Sequence, residues 1–133
     1  MQGCRPGADR DGVSGLIVCG TVGENCSLAK AEKIAVMEAG KAVARGRVPV
    51  VAGTGSNNTS ETLKGTQHAA KCGCQAVLLV DPYYNGPSSL EIRREYVAPV
   101  AKAFPGLDIV PYVIPGRTGT QLLPEDLALL FKS

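Results

Sequence analysis

The feature that most constrains this chain is a fourfold alternation. A short, nearly unbroken apolar run leads into a loop rich in Gly, Thr, Tyr, Asn or Arg, and a segment with helical periodicity follows. The apolar runs fall at residues 15–19, 48–52, 76–80 and 108–112. Continuous rather than alternating hydrophobicity marks strands buried on both faces, which belong to parallel sheets crossed by helices. Ser27 is the expected cap of the first helix. Its wet face carries Lys30, Glu32, Lys33, Glu38 and Lys41, and its apolar face Leu28, Ile34, Met37 and Ala42. Thr59 or Ser60 opens the second helix, with Glu61 in its first turn and Gly73 closing it. Ser88 or Ser89 opens the third, Pro99 is placed to bend it, and Pro105-Gly106 stops it after Phe104. Pro124 occupies the first turn of the last, which includes Leu127, Leu129 and Leu130.

Four strand–helix units in succession specify a parallel α/β architecture. Periodicity does not separate an open sheet from a closed barrel, but the loops do. Polar and glycine-rich loops follow all four strands, as in a (β/α)8 TIM barrel, whereas an open sheet concentrates such groups at one crevice. A complete barrel takes ~250 residues. The 133 residues are therefore expected to form one domain, 1–133, holding about half of a barrel.

Charge and cysteine content narrow the function. The 14 basic residues are scattered against 12 acidic ones, leaving a net charge of +2 and no footprint for nucleic acid or a membrane surface. No apolar run approaches the ~20 residues of a membrane span. Arg5, Asp9, Arg10 and Asp11 break up the start as a signal peptide. A cytoplasmic protein is expected. Cysteines stand at 4, 19, 26, 72 and 74, an odd number with no disulfide framework. Cys72-Gly73-Cys74 lacks a second pair, so no metal is expected, and Gly73 reads as a helix stop. The cysteines are expected to act as small buried hydrophobes. His68, mid-helix beside Gln67, reads as a surface residue.

Four motifs carry the chemistry. Gly20-Thr21-Val22-Gly23-Glu24 follows the first run, its glycines allowing backbone N–H groups to approach a carboxylate beside a hydroxyl. Gly53-Thr54-Gly55-Ser56-Asn57 follows the second and lacks the Gly-Lys-Ser/Thr ending of a P-loop. Asp81-Pro82-Tyr83-Tyr84-Asn85 places two phenols at the third strand end. Tyr112 ends the fourth run ahead of Pro115-Gly116-Arg117-Thr118-Gly119, where Arg117 offers a fork for a carboxylate.

In this order, with Leu122-Leu123-Pro124-Glu125 behind them, the motifs resemble the dihydrodipicolinate synthase/N-acetylneuraminate lyase family from about Val13 to Leu130. The resemblance implies a (β/α)8 barrel that binds pyruvate as a Schiff base on a lysine, with no cofactor and no metal, assembled as a homo-oligomer (dimer or tetramer). It implies that Thr21, Tyr84 and Tyr112 form a proton relay, with Tyr84 reaching into a neighbouring subunit's site. Thr21, Val22 and Arg117 become the substrate-binding positions, Arg117 holding the carboxylate of the aldehyde. That arginine favours the synthase branch, which condenses pyruvate with aspartate-4-semialdehyde on the route to lysine. The alternative branch comprises lyases of N-acetylneuraminate or 2-keto-3-deoxy sugar acids. Asn57, Glu61 and Tyr83 match an effector and interface site at which sensitive relatives bind lysine. Lys30 and Lys33 place positive charge there instead of histidine, so weak or no inhibition by lysine is expected.

There are departures. Val22 stands where a second Thr is usual, and Val113 where Asn is usual. The family's Schiff-base lysine lies on the strand after the P-x-R-T-G motif, beyond Ser133, and the first dozen residues do not resemble the family's first strand. None of Lys30, Lys33, Lys41, Lys64, Lys71 or Lys102 is expected at a strand end, and Lys132 belongs to the final helix. On this basis the chain alone is expected not to catalyse. A further alternative is a non-catalytic half-barrel that self-associates through its two open strand edges.

Overall fold

The computed structural model describes residues 12–132. The expectations for Cys4, for the charged start at Arg5 to Asp11 and for Ser133 lie outside the described residues. Four parallel strands, β1 (Leu16–Val18), β2 (Val50–Gly53), β3 (Ala76–Val80) and β4 (Asp108–Tyr112), form one sheet in the order β1-β2-β3-β4. Between them run α1 (Lys30–Ala44), α2 (Thr59–Lys71) and a composite third helix. The latter comprises α3 (Ser89–Glu91), a π-helical stretch Ile92–Val97 and α4 (Ala98–Ala103). After β4 come a single helical turn, α5 (Pro115–Thr118), and α6 (Pro124–Leu130). Sequential order with helical crossovers is the topology of a partial (β/α)8 barrel.

The register shows which side chains share a face. Val18 pairs with Ala52, Ala52 with Val77, and Val77 with Ile109. These face the helices: Val50, Ala52, Val77 and Leu79 are fully buried, and Val18 nearly so. The helices meet them with Met37, Gly40 and Ala44 from α1, Thr62, Thr66 and Ala69 from α2, and Ile92, Tyr96, Val97 and Val100 from the composite helix. Burying each large side chain contributes about 1.5–3 kcal/mol. Gly40 is required for this contact, since a Cβ there would come within 2.7 Å of Val18 Cγ1. The opposite set, Ile17 with Val51, Leu78 with Val110 and Val80 with Tyr112, lies on the face the helices leave open. There Ile17 is 61% exposed, Val110 40% and Tyr112 39%.

Several helix boundaries differ from expectation. Ser27 does not cap α1. Glu24 adopts a left-handed conformation (φ 56°), and two 3-10 turns, Thr21–Gly23 and Asn25–Ser27, use up the chain before the helix begins. The cap position is Ala29, whose N–H donates to the Glu32 carboxylate at 2.7 Å. The later start places Gly40 and Ala44 on the buried stripe and leaves Ala42 exposed. Asn58 rather than Thr59 or Ser60 caps α2, its Oδ1 accepting the Glu61 N–H at 3.2 Å. Ser88 does cap α3, reciprocally with Glu91. Pro99 lacks the N–H that would have bonded back to Glu95, and the Glu95 carbonyl instead accepts from the Thr59 hydroxyl at 3.0 Å. The helix slips to π spacing just before that proline.

Candidate functional site

All four strands are parallel, so their C-terminal loops gather along one edge of the sheet. The loops after β3 and β4 converge most closely. Tyr83, Tyr84 and Gly86 form one wall, and the turn from Pro115 to Gly119 the other, of an open cleft of ≈ 550 Å³. A ladder of buried polar contacts sets this approach. The Tyr84 N–H donates to the Thr118 carbonyl at 3.4 Å. The Thr118 hydroxyl donates to the Thr120 carbonyl at 2.9 Å, and the Thr120 hydroxyl to the Pro82 carbonyl at 2.8 Å. Deeper still, the Asp81 carboxylate accepts the Leu122 N–H at 3.0 Å.

Asp81 is fully buried, and its other oxygen has no hydrogen-bond partner among the described residues. Burial pushes its carboxyl above the usual range, against the pull of the Leu122 N–H. Beneath the neighbouring loop Tyr96 is almost wholly buried. Its hydroxyl donates to the Val80 carbonyl at 2.9 Å and accepts the Ser56 N–H at 3.2 Å. Burial pushes its pKa up to about 12, outweighing hydrogen bonds from the Thr62 and Ser56 groups. Tyr96 is therefore a structural phenol at any ordinary pH.

Tyr84 and Arg117 are both exposed in this cleft, with Tyr84 92% exposed and held at φ 75°, a left-handed conformation uncommon for a large side chain. A permanently charged guanidinium beside two phenols suits a small carboxylate ligand. Thr21 and Val22 sit on the same edge in the turn after β1, both exposed, with Val22 completely so. Tyr112 ends β4 on the open face. Among the described residues, no hydrogen bond joins Thr21, Tyr84 and Tyr112, and Thr21 and Tyr112 do not line the cleft. Val113 packs half-buried against the core.

The residues expected at an effector site divide between two places. Tyr83 lines the large cleft. Glu61 lines a smaller one of ≈ 150 Å³ between α1 and α2, together with Lys30, Lys33 and His68. Asn57 is half-buried in the turn ahead of α2. The Lys64 ammonium, 2.7 Å from Glu61, holds that carboxyl below its usual range. Burial pushes the Cys19, Cys72 and Cys74 thiols up, away from nucleophilic or metal-binding behaviour. Among the described residues no group of three or more His, Cys, Asp or Glu is placed to hold a metal. No described helix is long and apolar enough to cross a membrane.

Sequence reasoning missed Asp81, Tyr96 and the Thr118–Thr120 pair as the framework of the site. Tyr96 had a signal: with Ile92, Val97 and Val100 it forms a stripe at helical spacing that must face inward. The two threonines had none: the Thr120 hydroxyl reaches the Pro82 carbonyl 38 residues away, and Thr118 bonds the Ile114 and Thr120 carbonyls of its own turn.

Residues 10–133 match the family model described as the dihydrodipicolinate synthetase family. The chain is 44% identical over 122 residues to the 4-hydroxy-tetrahydrodipicolinate synthase of Syntrophus aciditrophicus, covering 92% of this chain and 41% of that protein. Among solved structures, a dihydrodipicolinate synthase superposes with a TM-score of 0.89 at 39% identity, covering 93% of this chain and 42% of that one. A dihydrodipicolinate synthase from Cyanidioschyzon merolae, crystallised with lysine bound, gives 0.91 at 34% identity and covers 96% and 43%. The chain thus spans about two-fifths of the length of these relatives.

Proposed function

The chain belongs to the dihydrodipicolinate synthetase family, and from that premise we propose that it forms one part of a pyruvate-dependent aldolase that condenses pyruvate with aspartate-4-semialdehyde. The observation that carries this reading is the cleft between the Tyr83-Tyr84 loop and the Arg117 turn. It brings together a charged fork and two phenols, which supports a carboxylate substrate meeting groups that exchange protons. In the proposed site Arg117 binds the carboxylate of the aldehyde, and Thr21 presents a hydroxyl and backbone N–H to pyruvate. Val22 contributes only its backbone. Thr21, Tyr84 and Tyr112 relay the proton that leaves the pyruvate methyl group, with Tyr84, exposed and projecting, contributed across an oligomer interface.

The imine-forming lysine is proposed to come from outside these residues. Lys30, Lys33 and Lys41 lie on α1, Lys64 and Lys71 on α2, Lys102 on α4, and Lys132 follows α6, all away from the loops that line the cleft. The 133-residue chain, taken as one domain, is therefore proposed to be inactive by itself.

The test uses a full-length barrel carrying this sequence, assayed with pyruvate and each candidate aldehyde. Turnover with aspartate-4-semialdehyde is expected, and Arg117→Ala should reduce kcat/KM for that aldehyde by about 10–150-fold, the loss of a charge-assisted hydrogen bond of ~1.5–3 kcal/mol. Trapping of the pyruvate imine by borohydride should be unchanged. Cleavage of N-acetylneuraminate or a 2-keto-3-deoxy sugar acid instead would move the protein to the other branch.

A further inference from the structure

We propose that Asp81 is a positioning residue for the Arg117 guanidinium, and through it sets how tightly the enzyme holds the aldehyde carboxylate. The inference rests on the proposed reaction and adds to it a residue that is fully buried and does not line the cleft.

No hydrogen bond or ion pair among the described residues holds the Arg117 guanidinium. Its place is therefore set by the backbone of its turn, Pro115–Thr118. The space around that turn is open: a Cβ added at Gly116 or Gly119 would meet nothing within 4 Å. What fixes the turn is the segment beside it. Asp81 bonds to Leu122, Pro82 to Thr120 and Tyr84 to Thr118, so the two segments run antiparallel and are tied at three levels. The outermost tie, from the Tyr84 N–H to the Thr118 carbonyl, is long at 3.4 Å. The Thr120 hydroxyl reaches the Pro82 carbonyl at 2.8 Å, and at the root the Asp81 carboxylate accepts the Leu122 N–H at 3.0 Å.

The root is the tie that solvent cannot replace. Asp81 is 0% exposed and Leu122 2%, so an apolar side chain at 81 leaves the Leu122 N–H stranded without water. A buried donor without an acceptor is costly enough to move the backbone that carries it. That movement has one way to go. On the far side the Leu123 N–H donates to the Ser89 hydroxyl at 2.8 Å, and Ser89 donates to Asp126 at 2.6 Å. Arg93 holds the same carboxylate at 2.7 Å, so the start of α6 stays anchored. On the near side lie the Thr120 tie and the open turn, and the displacement reaches Arg117. A guanidinium fork grips a carboxylate only in a narrow geometry, and a misplacement of about 1 Å can cost ~10²-fold.

The test is steady-state kinetics of a full-length enzyme carrying this sequence, with pyruvate and aspartate-4-semialdehyde varied in turn. Asp81→Val should raise KM for the aldehyde by about 10–100-fold, and no more than Arg117→Ala does. KM for pyruvate and trapping of its imine by borohydride should not change. In an Arg117→Ala background Asp81→Val should add nothing, because the group it misplaces is already gone. Asp81→Asn keeps an acceptor for the Leu122 N–H and should restore most of the lost affinity. Thr120→Val removes the next tie with the shape kept, and decides the matter if Asp81→Val fails to fold. It should raise the same KM by about 5-fold, again only when Arg117 is present. An unchanged aldehyde KM in these variants overturns the proposal and leaves the catalytic reading standing. So does equal weakening of both substrates, or an effect that multiplies with Arg117→Ala, since either marks a general loss of structure. No turnover of aspartate-4-semialdehyde by the parent enzyme, or an Arg117→Ala variant with the parent's KM, overturns the catalytic reading and this inference with it.

Discussion

Replacing Tyr96 by Phe removes one oxygen and leaves the ring, so its effect is confined to hydrogen bonding. The hydroxyl donates to the Val80 carbonyl at 2.9 Å and accepts the Ser56 N–H at 3.2 Å, in a side chain 2% exposed. The two partners suffer unequally. Ser56 N–H retains a second acceptor, Thr62 Oγ1, at 3.1 Å. The Val80 carbonyl loses this donor in a partly buried position. One lost hydrogen bond costs about 1 kcal/mol and one stranded acceptor about 1–3 kcal/mol; with Ser56 cushioned, Tyr96→Phe should destabilise by about 2–3 kcal/mol. In urea denaturation, with a slope of roughly 1–3 kcal/mol/M for a small protein, the midpoint should fall by about 1 M or more at unchanged slope. The folded pKa lies near 12, above the unfolded value of about 10. The tyrosine's contribution is therefore complete below pH ~10 and is lost only as pH rises through the folded value, so the difference should be the same under mildly acidic and mildly alkaline conditions. A loss below about 0.5 kcal/mol, or one that varies between those conditions, would refute the assignment of Tyr96 as the pin between β2 and β3.

Gly55→Ala should destabilise by at least ~1–3 kcal/mol, because its Cβ would stand 2.5 Å from the Val80 backbone nitrogen and 3.0 Å from Leu79 Cα. Gly116→Ala, with open space around it, serves as the near-neutral control, and equal melting of the two variants would contradict the packing argument. For Asp81, the raised pKa means that its contribution to stability is fully present below the unfolded value and is lost as pH rises through the folded one. Asp81→Asn keeps an acceptor for the Leu122 N–H and carries no charge, so its stability relative to the parent should improve from about pH 4 to pH 7. A gap that is constant with pH would mean that the carboxyl is not protonated more readily in the fold. In a full-length enzyme, free lysine is expected to leave activity almost unchanged, since Lys30 and Lys33 line the smaller cleft with Glu61. Strong inhibition by lysine in a steady-state assay would sink that expectation.

Much of this was legible before any coordinates. The apolar runs at 76–80 and 108–112 became strands with those bounds, and Ser88 and Pro124 opened the helices their chemistry predicts. Runs and caps are local signals, and local signals survive folding. The start of α1 was misread because a left-handed Glu24 cannot be seen in a string where glycine is the usual marker of positive φ. The site divided along the same line. Tyr84 and Arg117 were found through their motifs, and the structure brings both loops to one cleft. Their fixed geometry comes from Thr120, Asp81 and Tyr96, each bonded to a backbone group 16 to 41 residues away. Such pairings follow from the fold and not from spacing.

The separation of Thr21 from Tyr112, two of the three proposed relay residues, has a topological reason. Thr21 follows β1 and Tyr112 ends β4, and these are the two edges of the arc. Residues on the first and last strands of a half barrel stand across the lumen from each other, whereas Tyr83, Tyr84 and Arg117 come from adjacent strands and meet without help. A relay between Thr21 and Tyr112 therefore needs the space between the edges closed on the far side, so that a substrate bridging them is held and water is kept out. The face below that space is the same apolar surface of Ile17, Val110 and Tyr112 that lies uncovered. Closing the barrel thus buries the hydrophobic face and completes the proposed site in one step. A full-length barrel with Val110→Asp should for that reason lose activity together with stability, while Arg117→Ala should lose activity alone.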